Sequence, residues 1–275
     1  MREVRRDSHL DRLPATRDMG DVRRPERPAD QPIRLSGFNN LTKSVGFNLY
    51  DFVVARNDAE RASYLEYIDA RYSAATVATI LEEVARIIDA EVLSISSRDY
   101  DPHGASAMVL VGDQPSLQRS VAAHLTKSHL CAHTYPDWTD PKGICSFRVD
   151  IDIATCGTIV PLRALDYMFS RFASDVVVID YTVRGFTRDE AGHRVYLDHE
   201  LRSIQDFIAP DIRADYHCED LVLHREHIWQ TRMMRTRLDA PEYFAPGVYV
   251  DDEQTRAALD DVRREMLGIF RGWPT

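Results

Sequence analysis

Short turns between successive β-type runs constrain the fold of this chain more than any other sequence feature. The runs rich in β-branched and aromatic residues lie at 92–96, 106–111, 129–134, 146–154 and 175–183. A D-E-A-G turn at 189–192 leads into one more run at 194–197, typical of a hairpin. Strands joined in this way favour an antiparallel sheet over a doubly wound parallel one. We therefore predict an α+β fold, a two-layer α/β sandwich with antiparallel sheet.

Helical segments alternate with these runs. A further strand is predicted at 45–54, and Asn57 is suited to cap a helix that extends to Ala70. Apolar residues at helical spacing follow over 77–88 and indicate a helix packed on the sheet. Pro161 is expected to open another helix, and the region from Asp211 onward is predicted to be mostly helical, including 253–270.

The N-terminal segment differs in composition from the rest. Residues 1–34 contain nine Arg, seven Asp or Glu and four Pro, without hydrophobic periodicity. Such a segment buries too little apolar surface to offset its ordering entropy, so we predict a disordered extension, with a regulatory arm as the alternative. The folded domain is expected to span 35–275.

The net charge, the hydropathy and the cysteine content indicate which classes of partner are excluded and which cellular compartment is expected. A net charge of -10 argues against broad nucleic-acid binding, which needs a concentrated cationic face. No apolar run is long enough to span a membrane and the N-terminus is too charged for a secretory signal, so no membrane partner and a cytoplasmic location are predicted. The four cysteines form no CxxC pair and are expected to be free thiols.

Residue types alone leave the chemistry open. No phosphate-binding loop, dinucleotide fingerprint or G-x-S-x-G elbow is present. Histidines near Cys131 permit a structural zinc site, although packing of Cys131 as a small apolar residue is the simpler interpretation, and no metal ligands are assigned. Ser128, His133 and Cys156 place a nucleophile, a base and a thiol acid in one central stretch, and spacing alone does not establish that they act together.

Five motifs, taken in order, resemble those of one enzyme family. They are G-F-N-N-L-T-K at 37–43, Y-D-P-H-G-A-S at 100–106, K-S-H-L-C-A-H-T-Y-P at 127–136, T-C-G at 155–157 and Y-T-V-R-G-F-T-R-D at 181–189. This pattern is similar to the larger bacterial subgroup of the prokaryotic pyruvoyl-dependent S-adenosylmethionine decarboxylases. The resemblance extends from about Leu35 to the C-terminal helix and leaves only the N-terminal extension outside.

The resemblance implies a self-cleaving proenzyme. Ser128 Oγ would attack the carbonyl of Lys127, convert the peptide bond into an ester and, after β-elimination and loss of ammonia, leave a pyruvoyl group on an α chain of 128–275. Residues 1–127 would form the β chain. Ser106 and His133 would assist the cleavage, His133 as the base that removes the Cα proton. The pyruvoyl ketone would then form a Schiff base with the substrate amine and accept the electrons released with CO2.

The same resemblance assigns the substrate contacts. Cys156 would reprotonate the substrate α-carbon, a role open to a thiol because its ordinary pKa is about 8.5. Tyr100 would stack on adenine, and Asp137 stands where the family has a glutamate that holds the ribose hydroxyls. Asp137 is one methylene shorter, which motivates an alternative: a pyruvoyl-dependent decarboxylase of ornithine or arginine. His103 is a smaller departure from the pattern beside the same pocket. A non-catalytic paralogue that regulates an active partner is a third hypothesis.

Cofactor and assembly follow from the resemblance as well. The pyruvoyl group would be the covalent cofactor, and spermidine biosynthesis would consume the decarboxylated product. A homo-oligomer of processed β–α pairs, at least a dimer, is expected. The larger bacterial subgroup is associated with activation by Mg2+, although the sequence shows no local carboxylate cluster that would identify such a site.

Overall fold

The computed structural model describes residues 35–112, 128–172, 174–244 and 253–273. The predicted extension at 1–34 and Lys127 lie outside these residues. The strands are β1 (Leu35–Asn39), β2 (Thr42–Val54), β3 (Glu91–Asp99), β4 (Ala105–Gly112), β5 (Ser128–Asp137), β6 (Ile144–Cys156), β7 (Val176–Arg184), β8 (Thr187–Asp189), β9 (Arg194–Val195), β10 (Tyr216–Leu223) and β11 (Ile228–Arg235). The helices are α1 (Asp58–Arg71), α2 (Ala74–Ile87), α3 (Leu165–Arg171), α4 (Pro210–Arg213) and α5 (Glu253–Arg271), with short 3-10 turns at Pro161–Ala164, Ile204–Phe207 and Ala240–Glu242.

Eight of the strands form one antiparallel sheet in the order β10-β11-β7-β2-β6-β5-β4-β3. The long strands β2 and β6 lie near its centre and pair along their whole lengths, from Thr42 beside Cys156 to Val54 beside Ile144. Strands β1, β8 and β9 form a separate small sheet. The predicted antiparallel α+β fold is confirmed.

One face of the large sheet, called here the core face, carries the main hydrophobic core. Residues that alternate along the strands, such as Phe47 and Ile151, are buried against α1, α2 and α3. The side chain of Asn57 accepts a hydrogen bond from the Glu60 amide and begins α1, as predicted. Burial of alternate strand residues under helices produces the two layers of the sandwich.

The opposite face, called here the open face, is covered by α5 only at one end. There Val262, Met266 and Phe270 pack on Phe52 and Val176. The remaining open-face side chains are mostly polar and are half-buried or exposed. Within the described chain, the open face therefore lacks a second layer over most of its area.

One predicted region is wrong. Residues 216–235, expected to be helical, form the antiparallel hairpin of β10 and β11, and α5 is the long C-terminal helix. Trp229, Thr231 and Met233 are buried at every second position, the period of a strand. Because Thr231 is polar at a buried position and Ile228 is apolar at an exposed one, the sequence does not show this alternation.

The described residues contain no helix long and apolar enough to cross a membrane. All four cysteines are free thiols, with Cys145 buried and the other three half-buried.

Candidate active site

The first group of site residues lies where β5 begins and β6 ends. Ser128 is 2% exposed, and its Oγ accepts a hydrogen bond from the backbone N–H of Cys156 at 3.1 Å. The Cys156 thiol lies 3.9 Å from Thr42 Oγ1, across the β2–β6 pair. The structure therefore brings the predicted cleavage serine and the predicted proton donor together.

The second group lies further along β5, near the middle of the strand. Ser106 is directly opposite His133 in the β4–β5 pair. The Tyr100 hydroxyl is 3.1 Å from His133 Nδ1, so the phenol fixes the orientation of the imidazole. Gly104, between Tyr100 and Ser106, has φ +103, and a Cβ there would lie 2.8 Å from the carbonyl oxygen of Thr134. Only glycine fits this close approach, which explains the glycine in the Y-D-P-H-G-A-S motif.

The two groups are far apart within one chain. His133 follows Ser128 by five residues in the same strand, and a rise of about 3.3 Å per residue separates them by about 16 Å. Their side chains also point to opposite faces, because Ser128 is on the core face and His133 on the open face. No single chain can therefore place His133 or Ser106 at Ser128.

Asp137 lies beyond His133 at the end of β5 and is exposed. Its Oδ1 accepts hydrogen bonds from the amide and hydroxyl of Thr139, at 2.9 and 2.7 Å. Trp138 packs edge-on against His103, whose Nδ1 is 2.7 Å from Asp69. The two departures from the family pattern, His103 and Asp137, thus lie beside the same tryptophan.

Carboxylates and basic groups alternate on the open face near His133. Asp150 lies opposite His133 in the β5–β6 pair and is paired with Arg148, which also stacks over the Tyr135 ring at 5.3 Å. Desolvation and the charge of Asp150 raise the pKa of Asp152. Among the described residues, no group of three or more His, Cys, Asp or Glu side chains is arranged to hold a metal ion.

Sequence reasoning missed a buried charged cluster on the core face. Lys43 is 0% exposed, and its Nζ lies 2.5 Å from Asp198 Oδ2. Asp198 Oδ1 lies 2.7 Å from Nδ1 of His199, which is also buried. A signal was present, because Lys43 interrupts the apolar alternation of Leu41, Val45 and later residues of β2 and so occupies a core-facing position.

Comparison with known proteins identifies the family. The S-adenosylmethionine decarboxylase family model matches residues 69–185. The chain is 43% identical over 257 residues to a protein of Halorhodospira halophila named S-adenosylmethionine decarboxylase proenzyme, with 87% of this chain and 94% of the relative covered. A protein of the same name from Stenotrophomonas maltophilia is 44% identical over 254 residues, covering 87% and 96%.

A weaker match is the crystal structure of the adenosylmethionine decarboxylase from Aquifex aeolicus. Its TM-score is 0.32 at 19% identity, with 54% of this chain and 91% of that chain covered. Each of the two bacterial proenzymes matches 87% of this chain. On the strength of these proenzymes, this chain belongs to the S-adenosylmethionine decarboxylase family.

Proposed function

We propose that this protein is a pyruvoyl-dependent S-adenosylmethionine decarboxylase that cleaves its own backbone between Lys127 and Ser128. The observation that carries the proposal is the 3.1 Å bond from the Cys156 amide to Ser128 Oγ. It holds the nucleophile of the cleavage against the backbone of the residue whose thiol the proposed reaction needs as an acid. The proenzyme names of the relatives agree with a chain made as a precursor.

The surroundings of Ser128 suit a pyruvoyl group formed from it. Residue 128 is held between β4 and β6 with its side chain buried, so a ketone formed there would be fixed and shielded from water. When formed, the group supplies an electron sink for decarboxylation. Cys156 would hold the proton that the substrate carbon receives, on the open-face side of residue 128.

The separation of the two site groups supports a homo-oligomer in which each active site combines two copies. Cys156 and His133 both lie on the open face, Cys156 at the end of β6 and His133 near the middle of β5. A second copy packed in an antiparallel manner on this face would bring its Ser106 and His133 to the open-face side of residue 128 of the first, beside Cys156. This arrangement would also cover the polar surface that the described chain leaves open.

The same packing would supply the substrate contacts. Tyr100 and Asp137 lie at the His133 end of the sheet, so they would reach the substrate from the partner copy. One Asp137 oxygen already accepts from Thr139, which leaves the second to meet a ribose hydroxyl. No observation favours ornithine or arginine as the substrate.

Two measurements test the function. Mass spectrometry of the purified protein should find an α chain that begins at residue 128 with a keto terminus, and CO2 release should be observed from carboxyl-labelled S-adenosylmethionine but not from ornithine or arginine. An intact Lys127–Ser128 bond in folded protein, or release only from one of the other amino acids, would refute the proposal. Parallel assays with and without Mg2+ would measure metal activation.

Complementation tests the shared site. A Ser128→Ala chain cannot cleave itself but keeps His133, and a His133→Ala chain keeps Ser128 but lacks the base. Coexpression of the two, with distinguishable tags, should restore cleavage of the His133→Ala chain, because the partner supplies the imidazole. If that chain stays uncleaved in verified mixed oligomers, His133 does not act across the interface.

The four free thiols agree with a reducing compartment. A cytoplasmic location and spermidine biosynthesis as the consumer of the product belong to the same proposal.

A further inference from the structure

The buried cluster of Lys43, Asp198 and His199 lies on the same side of the sheet as the Ser128 side chain. Lys43 is opposite Thr155 in the β2–β6 pair. The β5–β6 register places His129 opposite Ala154, so its continuation by one residue places Ser128 next to Thr155. Ser128, Thr155 and Lys43 thus form one row of buried polar side chains across three adjacent strands.

Direct contacts connect the cluster to the cleavage serine. The Thr155 hydroxyl donates to the Lys43 carbonyl at 3.4 Å, and the Gly157 amide donates to the Leu41 carbonyl at 3.1 Å. The end of β6 is therefore held by the start of β2. Since the amide of Cys156 bonds Ser128 Oγ, a displacement of β2 at Lys43 would be transmitted to the nucleophile.

The ammonium group of Lys43 anchors the start of β2 to a distant part of the chain. Asp198 follows the small hairpin of β8 and β9, 155 positions from Lys43. Burial acts to raise the pKa of Asp198, but the bond from His199 and the interactions with Lys43 hold it below the ordinary value. The pair is therefore ionised, with His199 fixing the second carboxylate oxygen.

Stability alone is a weak reason to keep this arrangement. A buried ion pair loses in desolvation much of what it gains in attraction, and replacement by neutral groups of similar size is often tolerated. Its directional contacts instead fix the position of the atoms attached to it. The feature that Lys43 fixes is the strand end that holds Cys156 and Ser128.

We propose that Lys43, Asp198 and His199 are positioning residues that hold the β2–β6 strand ends in the geometry required for self-cleavage at Ser128 and for proton donation by Cys156. The inference rests on the proposed function and adds these three residues to its machinery. They touch neither the substrate nor residue 128 and act through Thr155 and Cys156.

The main test replaces the ion pair with a neutral pair, Lys43→Met with Asp198→Asn, in the full-length chain. The matched control is Thr231→Val, which removes another buried hydroxyl from the same sheet but lies on β11, away from the row. Far-UV circular dichroism and thermal unfolding establish that each variant is folded. The rate of cleavage is then followed in freshly synthesised precursor, and kcat and KM for S-adenosylmethionine are measured on the processed fraction.

The neutral pair should slow cleavage by about 10- to 100-fold, the loss expected when a reacting group is misplaced by about 1 Å. The kcat of its processed fraction should fall while KM stays unchanged, because Tyr100 and Asp137 lie at the other end of the sheet. Thr231→Val should cleave at the wild-type rate. If the ion pair only stabilises the fold, its loss will lower the unfolding temperature of the variant and leave cleavage and kcat unchanged. That result would overturn the inference.

His199→Leu provides a second test if the neutral pair does not fold. It keeps the ion pair and removes only the donor to Asp198 Oδ1, whereas His199→Asn restores an N–H donor. Slower cleavage by folded His199→Leu, with recovery in His199→Asn, supports positioning, and wild-type rates in both oppose it. If the wild-type chain itself never cleaves, the proposed function fails. If the wild-type chain and these variants all cleave at the same rate, only the positioning role fails.

Discussion

Half-buried Asp51 and buried Asp175 form a pair of carboxyl groups that predicts how stability depends on pH. Asp175 Oδ2 accepts the Phe52 amide at 3.0 Å and its Oδ1 accepts the Tyr243 hydroxyl at 2.5 Å. Burial, and then the charge of Asp175, raise the pKa of Asp51 well above its ordinary value. The folded protein therefore keeps a proton on Asp51 at pH values where the unfolded chain has lost it.

Replacement of Asp51 with Asn should remove this proton uptake. For a carboxyl group with a raised pKa, the stability contribution is complete below the unfolded pKa of about 3.9 and is lost as pH rises through the folded value. Asn is neutral at every pH and can donate to Asp175. The free energy of unfolding of Asp51→Asn, relative to that of its parent, should therefore increase by about 1.4 kcal/mol per pH unit above about pH 4. The increase should stop once the pH passes the pKa of Asp51 in the folded protein.

Urea unfolding between pH 5 and 8 measures the difference. The Ser128→Ala background keeps the chain in one piece, so that unfolding does not include separation of cleaved chains. Asp260→Asn removes the same charge from an exposed position of α5 and serves as the control. A difference between Asp51→Asn and its parent that does not change across this pH range would refute the shared-proton explanation.

Three further predictions concern the site. Ser128→Ala should give one uncleaved, inactive chain by mass spectrometry, and appearance of a chain that begins at residue 128 would contradict it. Cys156→Ala should still cleave, but its kcat should fall about 100-fold or more, because general acid catalysis of this size is lost. Chromatography should show misprotonated product. A normal kcat would assign the proton to another group. Tyr100→Phe removes the bond to His133 and should slow cleavage by roughly fivefold, the equivalent of about 1 kcal/mol, in a gel assay of precursor; an unchanged rate would show that the phenol does not orient the imidazole.

Local patterns predicted most of the elements. The alternation in 45–54 and the apolar stripe over 77–88 appear as β2 and α2, and Asn57 caps α1. The runs predicted at 129–134 and 146–154 lie within β5 and β6. These features depend on residues a few positions apart, whose contacts are set by the repeat of a strand or helix.

Two features required the folded chain. Trp229 belongs to a hairpin in which polar Thr231 is buried and apolar Ile228 is exposed, so tertiary burial overrode the helical prediction. Asp198 meets Lys43 across 155 positions, a contact that no local pattern specifies.

The sequence by itself predicted, through its resemblance to one family, which residues would carry the chemistry, and it predicted which strands hold them. Only the tertiary structure decided that Ser128 and His133, close in sequence, stand far apart and on opposite faces of one sheet. The physical reason is that an extended strand converts a separation of five residues into about 16 Å, whereas strand pairing brings Cys156, 28 positions away, to within hydrogen-bond distance.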